Sequence, residues 1–123
     1  MTGKEKKKAK ILVVDDEADN RQTVKTVLEK EGYEVVTAVS GDDSMKKIEK
    51  EDPDLVLMDI MMPGTPVKDI VKQVKKPLAY FSVVRLSESE MKDLLKPKNV
   101  KGFIQKPFDI DELISKVEDM LGK

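Results

Sequence analysis

The sequence predicts an α/β fold: a doubly wound, five-stranded parallel sheet with helices on both faces. Three observations carry this. Short apolar runs alternate with amphipathic stretches through five strand–helix units, the signature of βαβ connectivity. Two of the runs, Ile11-Leu12-Val13-Val14 and Leu55-Val56-Leu57-Met58, are apolar at every position, as strands read when both faces of a sheet are covered. Turn and breaker residues (Gly32, Pro53, Pro77, Pro97) fall between the runs.

The elements follow in order. Residues 10–14 read as the first strand, and 18–31 as a helix with Val24, Val27 and Leu28 on one face, closed by Gly32. Tyr33 to Ala38 reads as the second strand. Ser40 with Asp43 resembles a capping box that opens a helix to about Glu51. Asp52-Pro53-Asp54 is a turn, and Leu55 to Asp59 the third strand. Pro66 suits the first turn of a helix whose apolar face is Val67, Ile70, Val71 and Val74. Leu78 to Ser82 is the fourth strand. Ser87 and Glu90 form a capping box for a short helix over 88–95, which Pro97 stops. Val100 to Gln105 is the fifth strand. Asp109 is expected to cap a last helix with Ile110, Leu113, Ile114, Val117 and Leu121 as its stripe. The expected strand order is 2-1-3-4-5, the flavodoxin-like arrangement, with right-handed crossovers.

At 123 residues the chain suits one domain. Residues 1–9 read as a basic, flexible, solvated tail and 10–123 as the folded unit. The chain has no cysteine and no histidine, which excludes disulfides, thiolate metal sites, histidine general bases and His-ligated zinc. Any metal must sit among oxygen ligands. A formal net charge of −1 suggests no nucleic-acid surface. No apolar run approaches the roughly 20 residues of a membrane span, and no signal-peptide core follows the basic start, so the expectation is a cytoplasmic protein.

Chemistry gathers at the strand ends. Asp59 follows the third apolar run, Asp15-Asp16 follow the first, and Lys106 follows the fifth. In the expected order strands one and three are neighbours at the switch point, where such sheets bind ligands. Asp15, Asp16 and Asp59 should therefore converge, with Lys106 approaching from strand five. Three carboxylates together are tolerated if they share protons or bind a hard cation, and Mg2+ suits an all-oxygen set. Asp16 and Asp59 are the expected direct ligands, Asp15 acts through water, and the backbone carbonyl of Met61 is a further ligand. Lys106 balances charge on Asp59 or on a phosphoryl group attached to it, and Ser82 offers a hydroxyl at the same edge. Such a set suits aspartyl phosphate formation on Asp59. Bland readings compete at each position: Asp15-Asp16 as a helix cap, Lys106 as a surface lysine, and Met58, Met61 and Met62 as core packing.

The segments Ile-Leu-Val-Val-Asp15-Asp16-Glu17, Leu-Val-Leu-Met-Asp59-Ile-Met-Met-Pro-Gly64 and Gln-Lys106-Pro107-Phe108 resemble the receiver domain of two-component response regulators, the CheY-like superfamily. The resemblance covers essentially everything after the tail. It implies a phosphorylation-activated switch of a phosphorelay. The phosphoryl donor would be a histidine kinase or phosphotransfer protein, Asp59 the acceptor and Mg2+ the cofactor. An unknown downstream protein would read the state, and the chain would not be an enzyme beyond assisting its own phosphoryl transfer and slow hydrolysis. It further implies a cis bond between Lys106 and Pro107, and Ser82 and Phe103 as moving parts. Ser82 is preferred to Ser87, which is better explained as a cap.

The chain also departs from that pattern. Thr65-Pro66-Val67 replaces the usual small flexible turn, Val83 stands where Ala or Gly is usual, and Val83-Val84-Arg85-Leu86 is unusually apolar. Slow self-hydrolysis is expected, because Met61 and Val84 give an attacking water no help. The leading alternative is a receiver-like interaction module that no longer uses phosphorylation. An Mg2+-dependent phosphatase ranks low because Met61 stands where a second acid would be needed. A flavin carrier ranks low because Asp15-Asp16-Glu17 would repel a phosphate.

Overall fold

The computed structural model describes residues 9–60, 67–82, 87–106 and 108–121, with only the backbone described for Val67, Lys68 and Ser82. Five parallel strands alternate with five helices: β1 (Lys10–Val14), α1 (Ala18–Lys30), β2 (Glu34–Ala38), α2 (Gly41–Glu51), β3 (Leu55–Met58), α3 (Val67–Gln73), β4 (Leu78–Ser82), α4 (Glu88–Leu95), β5 (Val100–Gln105) and α5 (Ile110–Met120). The sheet order is β2-β1-β3-β4-β5, as expected.

The period of two along each strand divides the apolar residues between two cores. Ile11, Val13, Leu55, Leu57, Ala79, Phe81 and Ile104 face one side and pack with Val24 and Leu28 of α1 and Leu113 and Val117 of α5. Leu12, Val14, Val56, Met58, Leu78 and Tyr80 face the other and pack with Ile70 and Val71 of α3, Val74 beyond it, and Leu94 of α4. The continuous apolar runs of β1 and β3 are explained by this arrangement, since every side chain of Ile11–Val14 and Leu55–Met58 is fully buried.

Register then positions the strand ends. Val14 lies opposite Met58, so Asp15 and Asp59 leave the sheet side by side. Ser82 lies opposite Gln105, so Lys106 emerges at the same edge.

Local details differ from the sequence expectations in small ways. β2 starts at Glu34, with Tyr33 buried just before it, and β3 stops at Met58 rather than Asp59. Gly32 has φ 96°, the left-handed conformation expected of a residue closing α1. Ser40 accepts from the Asp43 N–H at 3.0 Å, but the Asp43 carboxylate accepts from Val39 N–H rather than from Ser40, so the reciprocal box is displaced by one residue. Around Ser87 the full box is present. Asp109 occupies the N-cap position of α5 without a capping hydrogen bond from its side chain. The tail over residues 1–8, Pro66, Pro107 with its expected cis bond, and Gly122-Lys123 lie outside the described residues.

Tyr80 joins two elements across the second core. Its hydroxyl donates to the Leu94 carbonyl at 3.0 Å, tying the end of α4 to β4. Burial pushes its phenol up from 10.0 to about 12; burial raises Tyr33 as well. A phenol held neutral by the fold contributes stability that is fully present below its unfolded value and is lost as pH rises through the folded one. We therefore expect the thermal midpoint to fall between about pH 10 and 12, and Tyr80→Phe to flatten part of that fall. The same variant leaves the Leu94 carbonyl without its donor and should cost about 1–2 kcal/mol at neutral pH in urea unfolding. An unchanged alkaline limb would show that Tyr80 does not carry it.

Candidate functional site

The acid cluster is built by three backbone departures at one edge of the sheet. Asp15 follows β1, its N–H still held by the Ala38 carbonyl of β2 at 3.2 Å. Asp59 follows β3, its N–H held by the Val14 carbonyl of β1 at 3.0 Å. Asp16 stands between Asp15 and the N-cap of α1, which is Glu17 and not either aspartate. The cap reading of Asp15-Asp16 is thereby corrected. The Asp15 side chain does serve the turn, however, since its Oδ1 accepts from Glu17 N–H at 2.9 Å.

Carboxylate oxygens of Asp15, Asp16 and Asp59 all lie within 4.8 Å of one another. Asp15 is fully buried, Asp59 is 7 % exposed, and Asp16 is open to solvent. Two ionised carboxylates at about 4 Å repel by roughly 4 kcal/mol at an effective dielectric near 20. Lys106 offsets part of this. Its Nζ lies 2.8 Å from Asp15 Oδ2 and 3.3 Å from Asp59 Oδ2, with a side chain only 10 % exposed. The lysine is therefore no solvated surface residue. Its nearer partner is Asp15, whereas the sequence suggested Asp59.

The same parity that divides the cores explains the convergence. Asp15, Asp59 and Lys106 continue the alternation of Val13, Leu57 and Ile104, all on the α1/α5 side of the sheet. Phe81 shares that side, and Lys106 Nζ stands 4.3 Å from its ring centroid, a cation–π contact. Sequence reasoning passed over Phe81, whose only signal was an aromatic at a strand end.

Donor types fit a hard cation. The cluster offers only oxygen, as Mg2+ prefers. Each of the three aspartates offers one carboxylate oxygen to such an ion. Asp15 already receives hydrogen bonds at both oxygens, from Glu17 N–H and Lys106 Nζ. Met61 lies outside the described residues, as do Met62, the 83–86 segment with Val84, and the Ser82 side chain; the Ser82 backbone ends β4 at the cluster's edge. Phe103 is half-buried on the other side of the sheet, against the second core.

Comparison with known proteins agrees with this geometry. A sequence model described as "Response regulator receiver domain" matches residues 11–118. Among solved structures, NtrX from Brucella abortus, in complex with ATP, is 32% identical with a TM-score of 0.82 over 92% of this chain. This chain spans only 27% of NtrX. The chemotaxis protein CheY4 from Vibrio cholerae is 28% identical with a TM-score of 0.80, covering 91% of this chain and 98% of its own. TrrA from Thermotoga maritima, a response regulator solved with Mg2+ and BeF, is 30% identical with a TM-score of 0.79, covering 90% of this chain and 97% of its own. Among the described residues no helix is long and apolar enough to cross a membrane.

Proposed function

The chain belongs to the response regulator receiver domain family, and from that premise we propose that it is a phosphorylation switch of a two-component phosphorelay. The observation that carries this is the placement of Lys106 Nζ against both Asp15 and Asp59 inside a three-carboxylate cluster. Asp59 is the phosphoacceptor. One of its carboxylate oxygens attacks the phosphorus of a phosphohistidine on a histidine kinase or phosphotransfer protein. The P–N bond breaks, its electron pair stays on the imidazole nitrogen, and that nitrogen takes a proton. Asp16, Asp59 and the Met61 carbonyl would hold Mg2+, with Asp15 acting through water. Mg2+, when bound, neutralises negative charge on the transferring phosphoryl oxygens. Lys106 supplies a second positive charge from its seat between Asp15 and Asp59. Ser82 hydrogen-bonds the attached group, and Ser82 with Phe103 reports the change to a downstream protein by shifting a two-state equilibrium.

In this reading the chain is not an enzyme, because its product is its own modified side chain, which it hydrolyses slowly. Its place is the cytoplasm, where a kinase's phosphohistidine is presented. The test is direct. Incubation with acetyl phosphate and Mg2+ should add one phosphoryl group in intact-mass spectra, and chelation of Mg2+ should prevent it. Beryllium fluoride with Mg2+ should raise the thermal midpoint. Neither response in the presence of Mg2+ would favour the alternative, an interaction module that no longer uses phosphorylation.

A further inference from the structure

We infer that Arg21 is a positioning residue for the cation site, acting through the backbone of Asp15. The guanidinium Nη1 of Arg21 donates to the Asp15 carbonyl at 2.7 Å. That carbonyl belongs to the peptide that joins Asp15 to Asp16. A peptide is planar, so holding its oxygen also holds the nitrogen and Cα of the next residue. Arg21 therefore sets the point from which the Asp16 side chain departs.

The rest of Asp15 is already fastened. Its N–H is bonded to the Ala38 carbonyl, its Oδ1 to Glu17 N–H and its Oδ2 to Lys106 Nζ. The carbonyl has passed the end of β1, where the sheet no longer supplies a donor, and Arg21 supplies one from the first turn of α1. The Arg21 N–H is itself bonded to Glu17 O at 3.1 Å, so the guanidinium reaches back from a rigid element. Arg21 and Asp15 thus close a ring around the turn that carries Asp16.

Residue choice points the same way. The chain has 23 Lys and Arg residues, of which only Arg21 and Arg85 are arginine. Arg21 makes this contact through one guanidinium nitrogen, Nη1, which stands one bond farther from the backbone than a lysine Nζ would.

The inference rests on the proposed reading that the acid cluster holds Mg2+, and the experiment separates the two. Amide chemical shifts of the full chain are followed by NMR during titration with MgCl2 for wild type, Arg21→Ala and Arg21→Lys. Hydrogen exchange at the Glu17 amide and the thermal midpoint are measured without Mg2+. We expect Arg21→Ala to weaken Mg2+ binding about tenfold, the scale of lost support behind a metal ligand. Its Glu17 amide should exchange faster. Arg21→Lys should recover only part of the affinity, since its ammonium lies one bond closer to the backbone than the Nη1 that makes this contact. If Arg21→Ala does not fold, a weakened Arg21→Lys carries the same conclusion. Wild-type Mg2+ affinity in the variant that folds, whatever its midpoint, would overturn the positioning role. Absence of Mg2+ binding in the wild type would instead overturn the reading beneath it.

Discussion

Asp59→Asn is expected to lose phosphoryl uptake from acetyl phosphate altogether, while remaining folded. The amide is nearly isosteric with the carboxylate and sits at the same buried place beside Lys106. It removes the nucleophilic oxygen anion that the proposed transfer requires. It also removes one of three mutually repelling charges. Lys106 keeps its shorter contact, the 2.8 Å pair with Asp15. The Mg2+-free variant should therefore melt no lower than wild type, and its gain in thermal midpoint on adding Mg2+ should shrink. Intact-mass spectra of both proteins under identical labelling decide the matter. Wild-type levels of adduct on the variant would place the acceptor elsewhere and sink the assignment of Asp59.

Lys106→Ala is expected to destabilise the protein by about 3 kcal/mol without Mg2+, because it leaves Asp15 and Asp59 buried and without their shared cation. For a domain of this size that is a fall in the thermal midpoint of roughly 10 °C. Loss of the ammonium over the Phe81 ring adds to the effect. Mg2+ should restore part of the loss, since a divalent cation among the same oxygens replaces the missing positive charge. The measurement is a pair of melting curves, with and without Mg2+, for both proteins. A midpoint close to wild type in the absence of Mg2+ would mean that the carboxylates do not depend on Lys106 for their compensation.

Much of the architecture was legible in the residues. β1 and β3 were plain because a strand covered on both faces has no polar position to break the run, and Ile11–Val14 and Leu55–Met58 show none. The Ser87–Glu90 box was equally plain, since both hydrogen bonds join residues three apart. Convergence of Asp15, Asp16 and Asp59 followed once the strand order was deduced. The partner of Lys106 was harder. Whether its ammonium lies nearer Asp15 or Asp59 depends on side-chain reach across three strands, which no local pattern encodes. Phe81 escaped for the same reason, because an aromatic in an apolar strand gives no sign that a cation will stand over it. Asp43 and Asp109 were legible only in position. Asp109 is the N-cap residue of α5 but makes no side-chain capping bond, and the Asp43 carboxylate accepts from Val39 N–H rather than from the cap residue Ser40.

The alternation that sorts the two cores has a genetic consequence. Asp15, Asp59 and Lys106 share one side of the sheet only because each strand end preserves an odd-even count with the residues before it. Deleting a single codon within Leu55–Met58 would carry Asp59 to the opposite side, away from Lys106, with no residue of the cluster changed. Two codons would restore the facing and shift the height. In this protein the reading frame of each strand is thus under tighter constraint than its vocabulary.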